Sequence, residues 1–293
     1  MQKRSLLRFQ SVVLVLSLLL ASALQAETEK GLLWRVETPQ GAVSHLFGTI
    51  HSEDPRVLNM PPAVSQTFDT AKTLVLEMDL GAADGMAMGQ AMMLPPGKNL
   101  QSLIGTELYR QSVNAMAERG YPEAIINRLQ PWAVVLTLSM PQPKTGLFLD
   151  YVLYVRAAEQ GKAVVGLEQM GEQLSVFTSL SMEEQVSLLR DTLRENDKFP
   201  QMFEQLIEAY LQRDLQALAA LSEQQSMSAS DKALQQRFMG TLVDERNQRM
   251  VTRLLPLLEE GGVFAAVGAL HLPGNAGLLA QLRQHGLRVS PVY

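Results

Sequence analysis

Segments that read as buried β-strands sit at the two ends of this chain, with only one in its middle. No other feature constrains the fold as tightly. Residues 32–37, 42–50 and 73–79, then 263–267 and 287–292, are short apolar runs bounded by turn-forming residues. The runs Leu74-Val75-Leu76 and Val263-Phe264-Ala265-Ala266-Val267 show no polar alternation, the pattern of interior strands covered on both faces. Interior strands need neighbours on either side, so one sheet must draw on both ends of the chain. Thr38-Pro39-Gln40-Gly41 is a turn, which makes the first two strands a hairpin. Residues 105–210 carry a helical signal broken by one short strand, 163–168. The expected fold is a single α/β domain over residues 27–293. Its central mixed sheet is built from the N- and C-terminal segments and wrapped by helices, with a helical insertion in the middle.

Two of these strands run into the same pattern, Gly-x-x-His. One copy is Gly48-Thr49-Ile50-His51, the other Gly268-Ala269-Leu270-His271, and together they hold two of the chain's four histidines. A histidine just past a buried strand is held rigidly yet reaches the sheet's rim, where ligand sites of open α/β sheets collect. The glycine three residues earlier lets backbone or ligand approach closely. His51 and His271 are therefore expected to share one polar site. Glu77 ends the strand 73–79, and a buried carboxylate needs a cationic neighbour: a metal, His51 or Arg246. Asp79 lies on the same side of that strand and is a weaker candidate. Glu168 ends the strand 163–168 in the same way, with functional and structural readings both open. Arg246 and Asn247 fall in a helix over 241–259 and read equally as site residues or as a solvated charged face. Asp150 reads as an N-terminal cap, and His45 and His285 as structural.

The remaining segments are read from their punctuation. Residues 52–60 are polar and broken by proline, hence a loop, and Pro61-Pro62 opens a helix to about Ala71. Residues 86–93 form a methionine-rich helix or lid, with gap-filling core as the plainer reading. Gly120 ends a helix that restarts at Tyr121-Pro122, Pro131 divides the next, and Gly161 stops the helix 149–160. Ser181-Met182-Glu183-Glu184 is a capping box. Residues 222–231 read as a surface loop, and Pro273-Gly274 as the turn into a helix ending near His285.

The first residues form an address rather than part of the fold. Lys3, Arg4 and Arg8 precede an apolar run over 11–20, and small residues follow, offering cleavage after Ala23 or Ala26. This is the pattern of a signal peptide over 1–26, with an uncleaved anchor as the lesser reading. Its removal leaves 22 basic against 30 acidic residues. An acidic protein is a poor partner for nucleic acid or anionic membrane. The chain has no cysteine, which excludes disulfides, thiol nucleophiles and thiolate zinc sites and suits the bacterial periplasm. Oligomeric state leaves no mark on the sequence.

Several chemistries fail on residues. The chain has no His-Glu-x-x-His, no Gly-x-Ser-x-Gly elbow and no phosphate-binding loop. Two histidines with carboxylates and no cysteine suit Mn²⁺, Co²⁺, Fe²⁺ or Zn²⁺.

Four blocks carry a resemblance: Leu33-Trp34-Arg35-Val36, Leu46 to His51, Leu74-Val75-Leu76-Glu77, and Val267 to Gly274. Gly166-Leu167-Glu168 with Gln173, and Glu245-Arg246-Asn247 with Met250, add to it. In these the chain is similar to the TraB/GumN family, which includes bacterial periplasmic proteins and, more distantly, the Tiki metalloproteases. The resemblance implies a fold like that of erythromycin esterase and the haem-binding ChaN proteins, with its site at the strand ends. It implies that His51 and His271 are the paired motif histidines, that Glu77 is the key acid, and that Glu168 and Arg246 support it. In the Tiki group the activity is Mn²⁺- or Co²⁺-dependent proteolysis of Wnt proteins.

The expected function is a periplasmic metal-dependent hydrolase acting on peptides. His51 and His271 would ligate a divalent metal, Glu77 would be a further ligand or the general base, Arg246 would stabilise negative charge developing on the substrate, and Glu168 would support the site. The alternative is a non-catalytic protein that sequesters a peptide, haem or metal.

Overall fold

The computed structural model describes residues 29–81, 85–227 and 229–293. The signal peptide expected over 1–26 lies outside the described residues. Among them, no helix is long and apolar enough to cross a membrane.

Six strands form one mixed sheet. They are β1 (Leu33–Glu37), β2 (Val43–Thr49), β3 (Thr73–Met78), β4 (Ala163–Glu168), β5 (Val263–Gly268) and β6 (Arg288–Pro291), in the order β4-β3-β5-β2-β1-β6. β4, β3, β5 and β2 run parallel, whereas β1 is antiparallel to both β2 and β6. The hairpin forms as read: Gly41 donates to the Thr38 carbonyl at a backbone φ of 88°, where glycine carries no steric penalty. β5, from the far end of the chain, slots between β2 and β3, so those two strands meet only across it. Its five apolar residues Val263 to Val267 are all buried, which is why that run lacks alternation.

Helices make up most of the rest of the described chain. Before β4 come α1 (Pro55–Leu58), α2 (Pro62–Thr70), α3 (Gly85–Met92), α4 (Leu100–Ile104), α5 (Thr106–Ala117), α6 (Glu123–Ile126), α7 (Pro131–Leu138) and α8 (Leu149–Glu159). After it come α9 (Met170–Thr178), α10 (Met182–Glu195), α11 (Phe199–Leu211), α12 (Leu215–Met227) and α13 (Lys232–Met239). α14 (Arg246–Glu260) precedes β5, and α15 (Leu278–Gln284) precedes β6. The sheet and its covering helices share one apolar core. A second core, around Trp132, Met116, Ile126 and Leu189, belongs to the helical middle.

Three local expectations are corrected. Residues 52–60 are not all loop: Asp54 caps α1 by accepting from the Arg56 amide at 2.8 Å, and Pro55 needs no amide partner at a helix start. The polar stretch from Ser222 continues α12 to Met227, because Glu and Gln are good helix formers despite their polarity. After Pro273-Gly274 the chain makes a tight turn, and α15 begins only at Leu278. The methionine stretch forms a helix, α3, with Met86 79% exposed at its start and Met92 packed against the second core at its end.

Candidate active site at the strand ends

Parallel pairing places the C-terminal ends of four strands on one rim. Thr49 of β2 lies opposite Gly268 of β5, so the two Gly-x-x-His copies leave adjacent strands nearly in register. Leu76 of β3 pairs with Ala266 of β5, and Met78 pairs with Glu168 of β4. Glu168, Glu77, His271 and His51 thus leave four neighbouring strands at one edge. A fifth contributor is α14, whose Arg246 and Asn247 face inward and are buried, while Asp244 and Glu245 just before them are exposed. A π-helical turn at Gly240–Glu245 precedes them. Such a turn adds a residue and resets the phase of the helix that follows.

The carboxylate of Glu77 is the hub. Its Oε1 accepts from the Gly268 amide at 2.7 Å and its Oε2 from Arg246 Nη2 at 2.6 Å. His271 Nε2 stands 3.7 Å from Oε1. Burial on its own raises a carboxyl pKa, but the charge of Arg246 and the Gly268 amide hold Glu77 below the ordinary range, and His271 would add to them when protonated. The motif glycines serve close approach. A Cβ on Gly268 would lie 3.2 Å from Glu77 Oε1, and one on Gly48 would press on Leu272 and on the backbone of Ala269.

Arg246 is 6% exposed and spends its guanidinium inside the protein. Nε donates to Glu168 Oε2 at 2.8 Å, Nη2 to Glu77, and Nη1 to the Leu242 carbonyl at 3.3 Å. Burial alone would lower its pKa, but Glu77 and Glu168 overcome that and raise it. The Glu168 side chain is fully enclosed and also receives Arg249 Nη2 at 3.2 Å and Gln173 Nε2 at 3.4 Å. Two acids on neighbouring strands are thereby tied to one helix. The price of burying these charges is met by pairing and hydrogen bonding, not by solvent.

His271 is 6% exposed, and its Nδ1 lies 2.7 Å from Asn247 Oδ1. Asn247 donates its own Nδ2 to the Ala276 carbonyl at 2.8 Å, so Oδ1 is the acceptor. The proton is therefore assigned to His271 Nδ1, leaving the Nε2 lone pair facing Glu77. Burial, and behind it Arg246, lowers the His271 pKa against the pull of Glu77, which keeps the ring neutral.

His51 stands apart. Its ring is exposed at the rim and stacks on Phe148, with centroids 3.9 Å apart. Displaced water lowers its pKa, while Glu77 and Glu53 oppose the shift. Glu53 pins the neighbouring loop by accepting the amides of Lys144, Thr145 and Gly146. Among the described residues His51 makes no ion pair with Glu77. Asp79 is occupied elsewhere, accepting from the Gly81 amide at 2.9 Å in the turn after β3.

Sequence reasoning left Asn247 open and set Asp150 aside, and the fold brings both to this rim. Asn247 orients His271. Asp150 is not a cap: Phe148 holds the cap position of α8, and Asp150 in its first turn accepts from Thr49 Oγ1 at 2.8 Å. Burial, then the nearby Glu77, pushes its carboxyl up to about 7. A hint was available, since Asp150 directly follows an apolar stretch that must pack on the sheet.

The donors present make part of a metal site. His271 Nε2 and Glu77 Oε1 are a suitable pair of hard or borderline ligands. Among the described residues, however, no three His, Cys, Asp or Glu side chains lie close enough together to hold an ion. The fit is to two ligands, with His51 held off on Phe148.

Comparison with known proteins places this geometry in context. The model of the TraB/PrgY/gumN family matches residues 32–291. Metalloprotease TIKI1 of Danio rerio is 28% identical, covering 88% of this chain and 62% of its own length. Metalloprotease TIKI2 of the same organism is 26% identical, covering 88% and 60%. The uncharacterized protein YbaP of Escherichia coli K12 is 25% identical, covering 82% and 87%. The chain thus spans about three fifths of the length of these TIKI relatives. No solved structure matches it significantly.

Proposed function

The chain belongs to the TraB/PrgY/gumN family, and from that premise we propose that it is a periplasmic hydrolase of peptides centred between Glu77 and His271. One observation carries the reading. An ionised carboxylate oxygen and an imidazole lone pair face each other across 3.7 Å at the rim of a parallel sheet. Two electron-rich atoms so placed call for a cation or the proton of a water between them. The TIKI relatives, named as metalloproteases, point the same way and suggest a metal dependence.

In this reading His271 and Glu77 would offer two donors to a divalent ion, Mn²⁺, Co²⁺ or Zn²⁺, and His51 would have to leave Phe148 to add a third. Such an ion would supply Lewis acidity toward a scissile carbonyl. The chain's own residues do the rest. With no ion between them, Glu77, kept ionised, and His271, kept neutral, can instead take the proton from an attacking water. Asn247 fixes the tautomer that makes this available, as outer partners of catalytic and ligating histidines do. Arg246 and Glu168 act as positioning residues, because the guanidinium is engaged and the Glu168 side chain is fully enclosed. His51 is exposed at the rim, the side from which an extended peptide would approach.

The test is hydrolysis of a mixed peptide library by purified protein, with Mn²⁺, Co²⁺ or Zn²⁺ and with EDTA. Glu77→Gln and His271→Ala should each lower turnover by at least about a hundredfold, the scale of general acid–base catalysis. Equal turnover in all three proteins refutes the assignment. A second reading, sequestration of a peptide without turnover, is favoured by the exposed Met86 on α3. Stoichiometric binding of library peptides with none cleaved would establish it.

A further inference from the structure

Asp150 is the acid that the mechanism above does not use. It projects from the first turn of α8 onto the rim, where its Oδ1 accepts from Thr49 Oγ1 at 2.8 Å. Thr49 is a member of the first Gly-x-x-His, is itself buried, and sits opposite Gly268, whose amide binds Glu77. The two acids thus flank one pair of strand ends. They differ in their neighbours. Glu77 has Arg246, His271 and a backbone amide. Among the described residues Asp150 has no ion-pair partner. The titratable groups that face it are Glu77 from β3 and Tyr210 from α11, neither of them a cation. Tyr210 gives its hydroxyl proton to the Gly48 carbonyl at 2.9 Å, so it is not free to stabilise an anion. For a largely buried carboxyl, the Thr49 hydroxyl and its own backbone amide are outweighed by burial and the ionised carboxylate nearby, which favour the protonated form.

We propose that Asp150 is the proton donor of this site, delivering the proton that the leaving nitrogen needs as the C–N bond breaks. The inference rests on the hydrolase reading and completes its proton balance. Water oxygen bonds to the scissile carbonyl carbon, and the water's proton passes to the Glu77–His271 pair. The C–N bond then breaks, and the nitrogen takes the proton of the Asp150 carboxyl. The proton held by the Glu77–His271 pair returns to Asp150. One water is consumed, and one carboxylic acid and one amine are formed. Two carboxyls whose surroundings drive their proton affinities apart are the usual means of running acid and base steps at one pH, and the shift of Asp150 to about 7 agrees.

The experiment compares Asp150→Asn with wild type on a cleaved library peptide and on the ester of the same acyl sequence. An alkoxide leaves far more readily than an amide nitrogen, so only the peptide requires the acid. The expected result is a loss in kcat of about a hundredfold or more for the peptide, with the ester within about threefold of wild type. Equal losses on both substrates would make Asp150 a positioning residue and overturn the proposal. No turnover of either substrate by wild type would instead overturn the hydrolase reading, and this inference with it. Should Asp150→Asn fail to fold, infrared spectra of wild type carrying carbon-13 aspartate decide. The absence of a protonated aspartate just below pH 7 overturns the proposal.

Discussion

Replacing Arg246 by alanine tests whether the strand ends are held by the charge network described above. The guanidinium is 6% exposed and donates to Glu168 at 2.8 Å and to Glu77 at 2.6 Å. Breaking a buried pair by removing one partner costs roughly 3–5 kcal/mol, because the other charge is left uncompensated. Glu168 would keep Arg249 at 3.2 Å and Gln173 at 3.4 Å, so the lower end, about 3 kcal/mol, is expected. The loss depends on pH in a defined sense. Glu77 has its pKa depressed in the folded protein, so its contribution is present above the unfolded value and disappears as pH falls through the folded one. The gap between wild type and Arg246→Ala should therefore narrow from neutral pH toward acid. The double variant Arg246→Met with Glu168→Gln should recover only part of the loss, since it leaves no unpaired charge on β4 but still deprives Glu77 of its cation. The assay is guanidinium unfolding with the slope held common. A single-variant loss below about 0.5 kcal/mol, the level of an ordinary surface change, would show that solvent and not Arg246 neutralises these acids.

Other expectations follow from single contacts. Asn247→Asp keeps an acceptor on His271 Nδ1 but adds a charge, so the imidazole pKa should rise by NMR titration and the hydrolysis should fall at neutral pH. Asp150→Asn should become more stable relative to wild type as pH rises from about 4 to 7. A carboxyl raised from 3.8 to about 7 favours the folded state only while protonated, and at roughly 1.4 kcal/mol per pH unit the gain is about 2–4 kcal/mol. A flat difference across that range would contradict it. Gly166→Ala would push a Cβ into the backbone nitrogen of Asp79 just past the neighbouring strand β3, so a loss of about 2 kcal/mol or more is expected in thermal unfolding.

The strands were legible because a buried strand has a local signature. β3 and β5 are runs of apolar residues in a chain whose helices alternate, and the Gly-x-x-His copies mark where those runs stop. Glu77 and Glu168 could be singled out because a carboxylate is out of place at the end of such a run. Arg246, by contrast, stood among Asp244, Glu245 and Asn247, and nothing local separates an inward arginine from a solvated one. The π-helical turn at Gly240–Glu245, which sets which way Arg246 faces, has no sequence pattern of its own. Asp150 was misread for a related reason: capping is a local rule, and its actual partner, Thr49, lies 101 residues away.

Sequence alone determined that a sheet would be assembled from both ends of the chain, that two histidines and two acids would leave it at strand ends, and that no thiol chemistry was open. Those conclusions depend on composition and on periods of a few residues, which the chain states directly. Tertiary structure alone decided the register that puts Thr49 beside Gly268, the placement of Arg246 between two carboxylates, and the position of His51 on Phe148, apart from the Glu77–His271 pair. Each of these depends on which distant segments exclude water from one another, and that is settled only when the whole core closes.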